Sequence, residues 1–367
     1  MINQDKETRD MNPESSTSIK APIAFTGNGS EYFRIWIVNL ALTILTLGIY
    51  SAWAKVRRLQ YFYRNTTLMG NSFDYHGDPV AILKGRIIGI VLLVAYNGAF
   101  AFSMWLGLLI LLILLAVFPW LIQRSLCFRL HNSSYRGLRF RFMGSVKDAY
   151  EVFLVWPIAS YLTLGGLMPL AHQRIKEYQH NHSQYGTAPF HFDAKVSDFY
   201  RIYLKILGLM FLVGLLIPFI VYGIHAASPG IFDGFKSKNP EVIGKLLGII
   251  FMLIMGFYLV FFLLVGPWFA ARMQNLVWNH TALGVHAFTS HVRARDLFKI
   301  YLTNFIAIIL TLGLFKPFAD IRLARYRLTH MALNAQSSLD EFFAQEQQAV
   351  NALGEETANV FDVDISF

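Results

Sequence analysis

Long uncharged apolar stretches alternate along this chain with short basic and aromatic segments. Residues 87–118 contain no charged side chain in 32 positions, and residues 246–270 are also free of charge. A helix needs roughly 20 apolar residues to cross a bilayer, so both stretches predict membrane helices. Residues 206–224 and 300–315 are further candidates, and the first hydrophobic segment begins near residue 35. The stretches between them differ in kind. Residues 55–64 are basic and amphipathic, suited to the headgroup region. Phe140-Arg141-Phe142 and Phe190-His191-Phe192-Asp193 alternate in polarity like brief strands. The pattern predicts a mainly α, polytopic helical membrane protein with short strand-like extramembrane segments.

The pattern repeats. Thr46-Leu47-Gly48, Thr163-Leu164-Gly165 and Thr311-Leu312-Gly313 are one tripeptide. Seventeen residues before each Gly stands an acid (Glu31, Asp148, Asp296), and nine residues after each stands an arginine (Arg57, Arg174, Arg322). The arginine motif, Pro or Ala followed by an apolar residue and an arginine four further on, also ends at Arg124 and Arg272. Four of the five copies continue into Asn-x-Ser/Thr-x-x-Gly: Asn65 to Gly70, Asn132 to Gly137, Asn181 to Gly186, Asn279 to Gly284. Phe73, Phe140, Phe190 and Phe288 follow those glycines by three or four residues. About five degenerate repeats result, at about 25–70, 75–137, 142–186, 192–284 and 290–335. They make up a transmembrane domain over 23–335, between a polar tail (1–22) and an acidic tail (336–367).

The repeats raise a problem of topology. The second unit is long enough for a hairpin turning at Asn97-Gly98, and the fourth for two spans. The first, third and fifth carry one apolar segment each. They are either re-entrant, breaking at Thr-Leu-Gly, or inverted as in many transporters. Composition supports a lipid environment: 55% of residues are hydrophobic and 15% charged, against about 25% charged in soluble domains. Mean hydropathy is +0.43. Residues 21–327 hold 29 basic and 12 acidic residues. In a membrane protein such an excess marks a cytoplasmic face beside anionic lipid headgroups rather than a nucleic-acid site. The first 22 residues are polar, so no secretory signal is predicted.

Candidate chemistry is sparse. Arg57, Arg124, Arg174, Arg272 and Arg322 can hold a phosphate or headgroup, or pin helix ends by pairing with Glu31, Asp148, Asp198 and Asp296. His182, His280 and His330 each stand eight residues after a repeat arginine. They converge on a metal or proton path if the repeats share an axis; otherwise they fill a polar turn position that Thr66 and Ser133 occupy elsewhere. The lone Cys127 excludes an internal disulfide and a multi-cysteine metal site. The Asn-x-Ser/Thr triplets read as helix-ending turns. No catalytic signature asks for an enzyme or a cofactor. In the acidic tail, Phe342, Phe343, Val350, Leu353 and Val360 form an apolar helical face suited to docking on the basic body or on a partner.

Residues 50–58 (YSAWAKVRR), residues 73–79 (FDYHGDP) and the C-terminal Gly354-Glu355-Glu356 and Phe361-Asp362-Val363-Asp364-Ile365 resemble the YjgN family of bacterial inner-membrane proteins. The resemblance implies a multi-pass inner-membrane protein and brings no catalytic or binding residues with it. Two functions fit: transport or channelling of a small solute, and a non-transport role as a scaffold or lipid-binding envelope factor.

Overall fold

The computed structural model describes residues 19–227 and 240–362. Outside them lie most of the N-terminal tail, the last five residues and the turn signals between Pro229 and Asn239. The chain is mostly helical, but a closed antiparallel barrel organises it. Its strands are β1 (Ile19–Phe25), β2 (Thr66–Leu68), β3 (Asn71–Tyr75), β4 (Ser133–Tyr135), β5 (Leu138–Phe142), β6 (Ser183–Tyr185), β7 (Ala188–Phe192), β8 (Thr281–Leu283), β9 (His286–Ser290) and β10 (Met331–Ala335). Each strand pairs with its neighbours in chain order, and β10 returns to β1. β1 alternates buried Ala21, Ile23 and Phe25 with exposed positions, so the boundary expected at residue 22 falls inside a strand.

Four strand pairs are joined by two-residue turns, whose chemistry fixes their register. Met69-Gly70 and Arg136-Gly137 have positive φ at both positions. Gly186 and Gly284 have positive φ and come first in their turns instead. The constant Asn-to-Gly spacing of the sequence therefore hides a one-residue slip. Asn65 and Asn132 cap their helices, whereas in the third and fourth units the residue after Asn does.

Because the four two-residue turns lie at one end of the barrel, the helices that connect its strands leave from the other. α1 (Gly29–Leu45) and α2 (Ser51–Arg64) form an outgoing and returning pair. So do α5 (Val146–Tyr150) with α6 (Trp156–Leu162) and α7 (Met168–Asn181), and α10 (Ala294–Leu310) with α11 (Lys316–Thr329). A π-helical turn, Glu151–Val155, joins α5 to α6. The reversal is Thr-Leu-Gly in all three. Leu47, Leu164 and Leu312 sit at φ near +50°, and the glycines after them near +90°. Each threonine hydroxyl donates to the carbonyl four residues back and accepts the amide four residues on. The helix is thus ended and restarted by one side chain. The first and last outgoing helices have 17 residues, or roughly 25 Å.

The other two pairs are longer. α3 (Pro79–Phe102) and α4 (Met104–His131) are long and apolar enough to cross a membrane. The turn expected at Asn97-Gly98 is absent: Asn97 donates to Leu93 O within a continuous α3, and the chain reverses at the extended Ser103. α8 (Val196–Ala227) and α9 (Pro240–Asn279) have 32 and 40 residues.

The barrel interior is filled. Ile23, Leu68, Tyr135, Leu138, Tyr185, Leu283, Phe288 and Leu333 form one buried cluster. The buried hydroxyls of Tyr135 and Tyr185 donate to Leu68 O (2.7 Å) and Tyr135 O (3.1 Å), which removes their desolvation cost. α12 (Leu339–Asp362) begins where β10 ends, at the turn end, and covers it. Leu339 and Phe343 are buried in the barrel cluster, with Phe342 and Val350 against it. Asp340 pairs with Arg136 at 2.8 Å. Glu346 Oε2 accepts from the amides of Thr187 (2.7 Å) and Ala188 (3.0 Å) and from the Thr187 hydroxyl. The apolar face read in the acidic tail is therefore docked on this chain at Phe342, Phe343 and Val350.

Phe343→Ala, a truncation of the kind that costs about 3–5 kcal/mol in a core, is expected to release α12. Limited proteolysis should then cut between residues 344 and 362 faster than in the parent. An unchanged digestion rate would show that α12 does not depend on this anchor.

Candidate functional site

Helix C-termini and strand starts meet at the helix end of the barrel. All five returning helices close with the same capping bond. Asn65 and Asn132 Nδ2 donate to the carbonyls of Tyr61 (2.9 Å) and Phe128 (2.8 Å). His182, His280 and His330 Nδ1 donate to those of Tyr178, Leu276 and Tyr326 at 3.0, 2.9 and 2.7 Å. The three histidines are therefore cap residues on separate helices and do not converge. Their counterparts are Asn65 and Asn132, not Thr66 and Ser133. Among the described residues no group of three His, Cys, Asp or Glu side chains could hold a metal.

The repeat arginines do not converge either. Arg57 lies over the Tyr50 ring and Arg124 over Trp120. Arg174 pairs with Glu177 at 2.8 Å. Arg322 donates to Asn304 Oδ1 (2.9 Å) and Thr303 Oγ1 (3.1 Å). Arg272 is exposed on α9. The expected pairing with the repeat acids is replaced by a tyrosine clamp. Tyr61, Tyr178 and Tyr326 stand thirteen residues after the three glycines. Their hydroxyls bond the backbone at the start of the outgoing helix: Asn28 (2.9 Å), Ser145 (2.9 Å) and Arg293 (3.3 Å). Glu31 and Asp296 accept from Tyr61 and Tyr326 at 3.1 and 3.4 Å. Asp148 lies 3.9 Å from His182 Nε2, and Asp198 pairs with Arg201.

What does converge is a different set. Two adjoining cavities, of about 570 and 510 Å³, lie between the helix ends above the barrel and share Tyr63, Phe73 and Trp278. Arg129, Lys176, Gln179 and His180 line the first, and Gln274 and Arg327 the second. Neither is lined by an aspartate or glutamate. Phe73, Phe140 and Phe190, one from each of β3, β5 and β7, floor this chamber, and Phe288 of β9 continues the row in the barrel core. Ring centroids are 6.4 Å apart for Phe73–Phe140, 6.3 Å for Phe140–Phe190 and 6.2 Å for Phe190–Phe288. These are the aromatics whose recurrence the sequence displays.

The chamber's charges are under strain from one another. Burial, then the Arg129 charge, lowers the pKa of Lys176. Its ammonium donates only to the neutral Gln179 Oε1, at 3.3 Å, among the described contacts. Burial, then Lys176 and Arg129, brings His180 down to about 4; its Nδ1 lies 3.2 Å from Thr281 Oγ1. Arg327 donates to Gln274 Oε1 at 2.5 Å. Lys176 and Arg327 are partly buried and Arg129 is exposed at the edge, and partly buried cations without a countercharge carry a desolvation cost. An anion in the chamber would pair with them and reverse both shifts.

Among the described residues, a closed small barrel carries helical hairpins on one end, and two of its helices are long and apolar enough to cross a membrane, as suits a membrane protein. The chain belongs to the bacterial family described as "Bacterial protein of unknown function (DUF898)", whose sequence profile matches residues 20–360. It is 30% identical over 143 residues to "Inner membrane protein YjgN" of Salmonella typhimurium strain LT2, covering 39% of this chain and 36% of that protein. It is also 30% identical over 142 residues to the protein of that name from Escherichia coli K12, covering 38% and 36%. The match thus spans little more than a third of those relatives' length. No solved structure matches the chain.

Anion binding should take up a proton. Empty, His180 is neutral above about pH 4. Occupied, its pKa rises, so affinity strengthens as pH falls between those two values. Titration of inorganic phosphate by calorimetry in buffers of different ionisation enthalpy measures the uptake. His180→Gln should bind with reduced pH dependence; equal pH dependence in both proteins would rule His180 out as the proton acceptor.

Proposed function

We propose that this chain is a multi-pass inner-membrane protein, built from five degenerate repeats, that binds an anionic group in the chamber and does not conduct a solute. The observation that carries this reading is the chamber lining: three cations and a neutral histidine, drawn from α4, α7 and α11, with no carboxylate among them. The filled barrel axis and the α12 cover argue against a pore along the barrel. Transport, the reading that repeats and broken helices favour, has no comparable support.

In this reading the barrel lies on the cytoplasmic side, where the positive-inside tendency puts its basic helix ends. α3, α4, α8 and α9 cross the membrane. The three Thr-Leu-Gly hairpins are re-entrant. Their outgoing limbs, roughly 25 Å long, fall short of the about 30 Å hydrocarbon core. Leu47, Leu164 and Leu312 at their tips are 95%, 99% and 95% exposed, as suits residues bathed in lipid. Each unit then supplies one return to the barrel, with the last and first strands, β10 and β1, closing the fifth pair.

Single cysteines at Leu47, Leu164 and Leu312 in a Cys127→Ala background should resist membrane-impermeant maleimide from both sides. Cysteines at Gly70 and Gly137 should label only from the cytoplasm. Periplasmic labelling of the tips would refute the re-entrant topology. For the anion reading, phosphate should raise the melting temperature of the parent and not of Arg129→Gln/Lys176→Gln. An equal response, or no response in either, would reject the chamber as an anion site.

A further inference from the structure

The chamber is not closed on the membrane side, and the residue at its edge points to the kind of anion it takes. Lys176 also lines a third cavity, of about 760 Å³, between α6, α7 and α8. Pro157, Tyr161, Leu164, Met168, Ile175 and Tyr203 form most of its wall. Its polar interruptions are few and satisfied: His172 Nδ1 lies 2.9 Å from the Tyr203 hydroxyl, and Ser160 donates to Trp156 O. A second apolar cavity, of about 480 Å³, reaches between α8 and α9 and shares Gly165, Met168 and Tyr203 with the first.

The groove has the polarity of a lipid. It starts at the exposed hairpin tip, Leu164, and ends at Lys176, where the cationic chamber begins. Along α7, Met168 to Lys176 spans roughly 12 Å at the helical rise. One leaflet of a hydrocarbon core is about 15 Å deep. A chain lying in the groove with its head at Lys176 would therefore sit at the depth of its neighbours in the bilayer, and no stretching would be needed. The forked apolar space leaves room for two chains below one head. The head would meet Lys176 and Arg129, with the Gln179 amide and His180 beside them, none of them an acid.

We propose that the occupant is a diacyl phospholipid of net negative charge, its chains in the α6–α8 groove and its phosphate in the chamber against Arg129 and Lys176. This rests on the anion reading above and adds its source. A zwitterionic lipid would bring its own cation into a pocket that holds no carboxylate to receive it, which sets the preference for acidic heads.

Three measurements on the full chain test it. Native mass spectrometry from nanodiscs of mixed dioleoyl phosphatidylglycerol and dioleoyl phosphatidylcholine should retain one phosphatidylglycerol. Arg129→Gln/Lys176→Gln should retain it about tenfold less, the equivalent of one lost charge-assisted hydrogen bond. Met168→Trp fills the groove from an exposed position on α7; it should lose the lipid while its melting temperature still responds to inorganic phosphate. Ile175→Trp gives a second obstruction should the first fail to fold. Equal retention of the two lipids, or retention unaffected by the groove variants, overturns the lipid. Phosphate binding without lipid retention would leave the anion site standing and reject this occupant. Neither phosphate nor lipid binding would reject both.

Discussion

The pairing of β1 with β10 is the constraint on which the rest of this structure depends. Strands of three to seven residues cannot form a stable open sheet, because each edge leaves unpaired amides and carbonyls. Closing the ring removes every edge. The closing seam joins the first and last strands, with Ile19 opposite Ala335 and Pro22 opposite Ala332. Once the ring is closed by antiparallel neighbours and two-residue turns, little freedom remains. All two-residue turns lie at one end and the helices α1 to α11 at the other, so every helical excursion between strands must return to the face it left. The short Thr-Leu-Gly hairpins follow from that requirement as much as from their own glycines.

The two ends of the barrel have opposite chemistry. At the turn end, α12 brings Phe343 into an aromatic box with Tyr135 and Tyr185 and supplies carboxylates to Arg136 and to the β6–β7 turn. Apolar and charged partners are both satisfied there, and the end is sealed. At the helix end the cations of α4, α7 and α11 face one another across a chamber without acids. Two partly buried cations and a third at the edge, with no carboxylate among them, are the pattern that the proposed anion would complete. In the proposed topology, the apolar groove that meets the chamber at Lys176 would join it to the bilayer.

Much of this was legible in the sequence. The 87–118 run marked α3 and α4, the recurring Thr-Leu-Gly marked the positions of three helix reversals while leaving break or inversion open, and the recurring Phe73, Phe140, Phe190 and Phe288 are neighbours around one ring. The strand-like segments were visible singly, at Phe140 and Phe190. Their closure was not, because it depends on Ile19–Phe25 pairing with Met331–Ala335, more than 300 residues away, and no local pattern encodes that partner. The chamber was not legible for a related reason. Alignment on Arg and Gly selected Arg57, Arg174 and Arg322, none of which lines the chamber. The chamber residues Arg129, Gln179 and Arg327 share a different register, three residues before the capping Asn132, His182 and His330. That register becomes visible only once the one-residue slip between Asn and Gly is known.

Chemical cross-linking across the seam tests the closed barrel most directly. Lys20 and Asn334 are paired, and cysteines at both, with Cys127 replaced by alanine, place two thiols on neighbouring strands. In the membrane-inserted protein a short bis-maleimide should join them within one chain, giving a linked peptide by mass spectrometry. Failure to link them, with the two cysteines labelling from opposite sides of the membrane, would contradict the closed ring and everything argued from it.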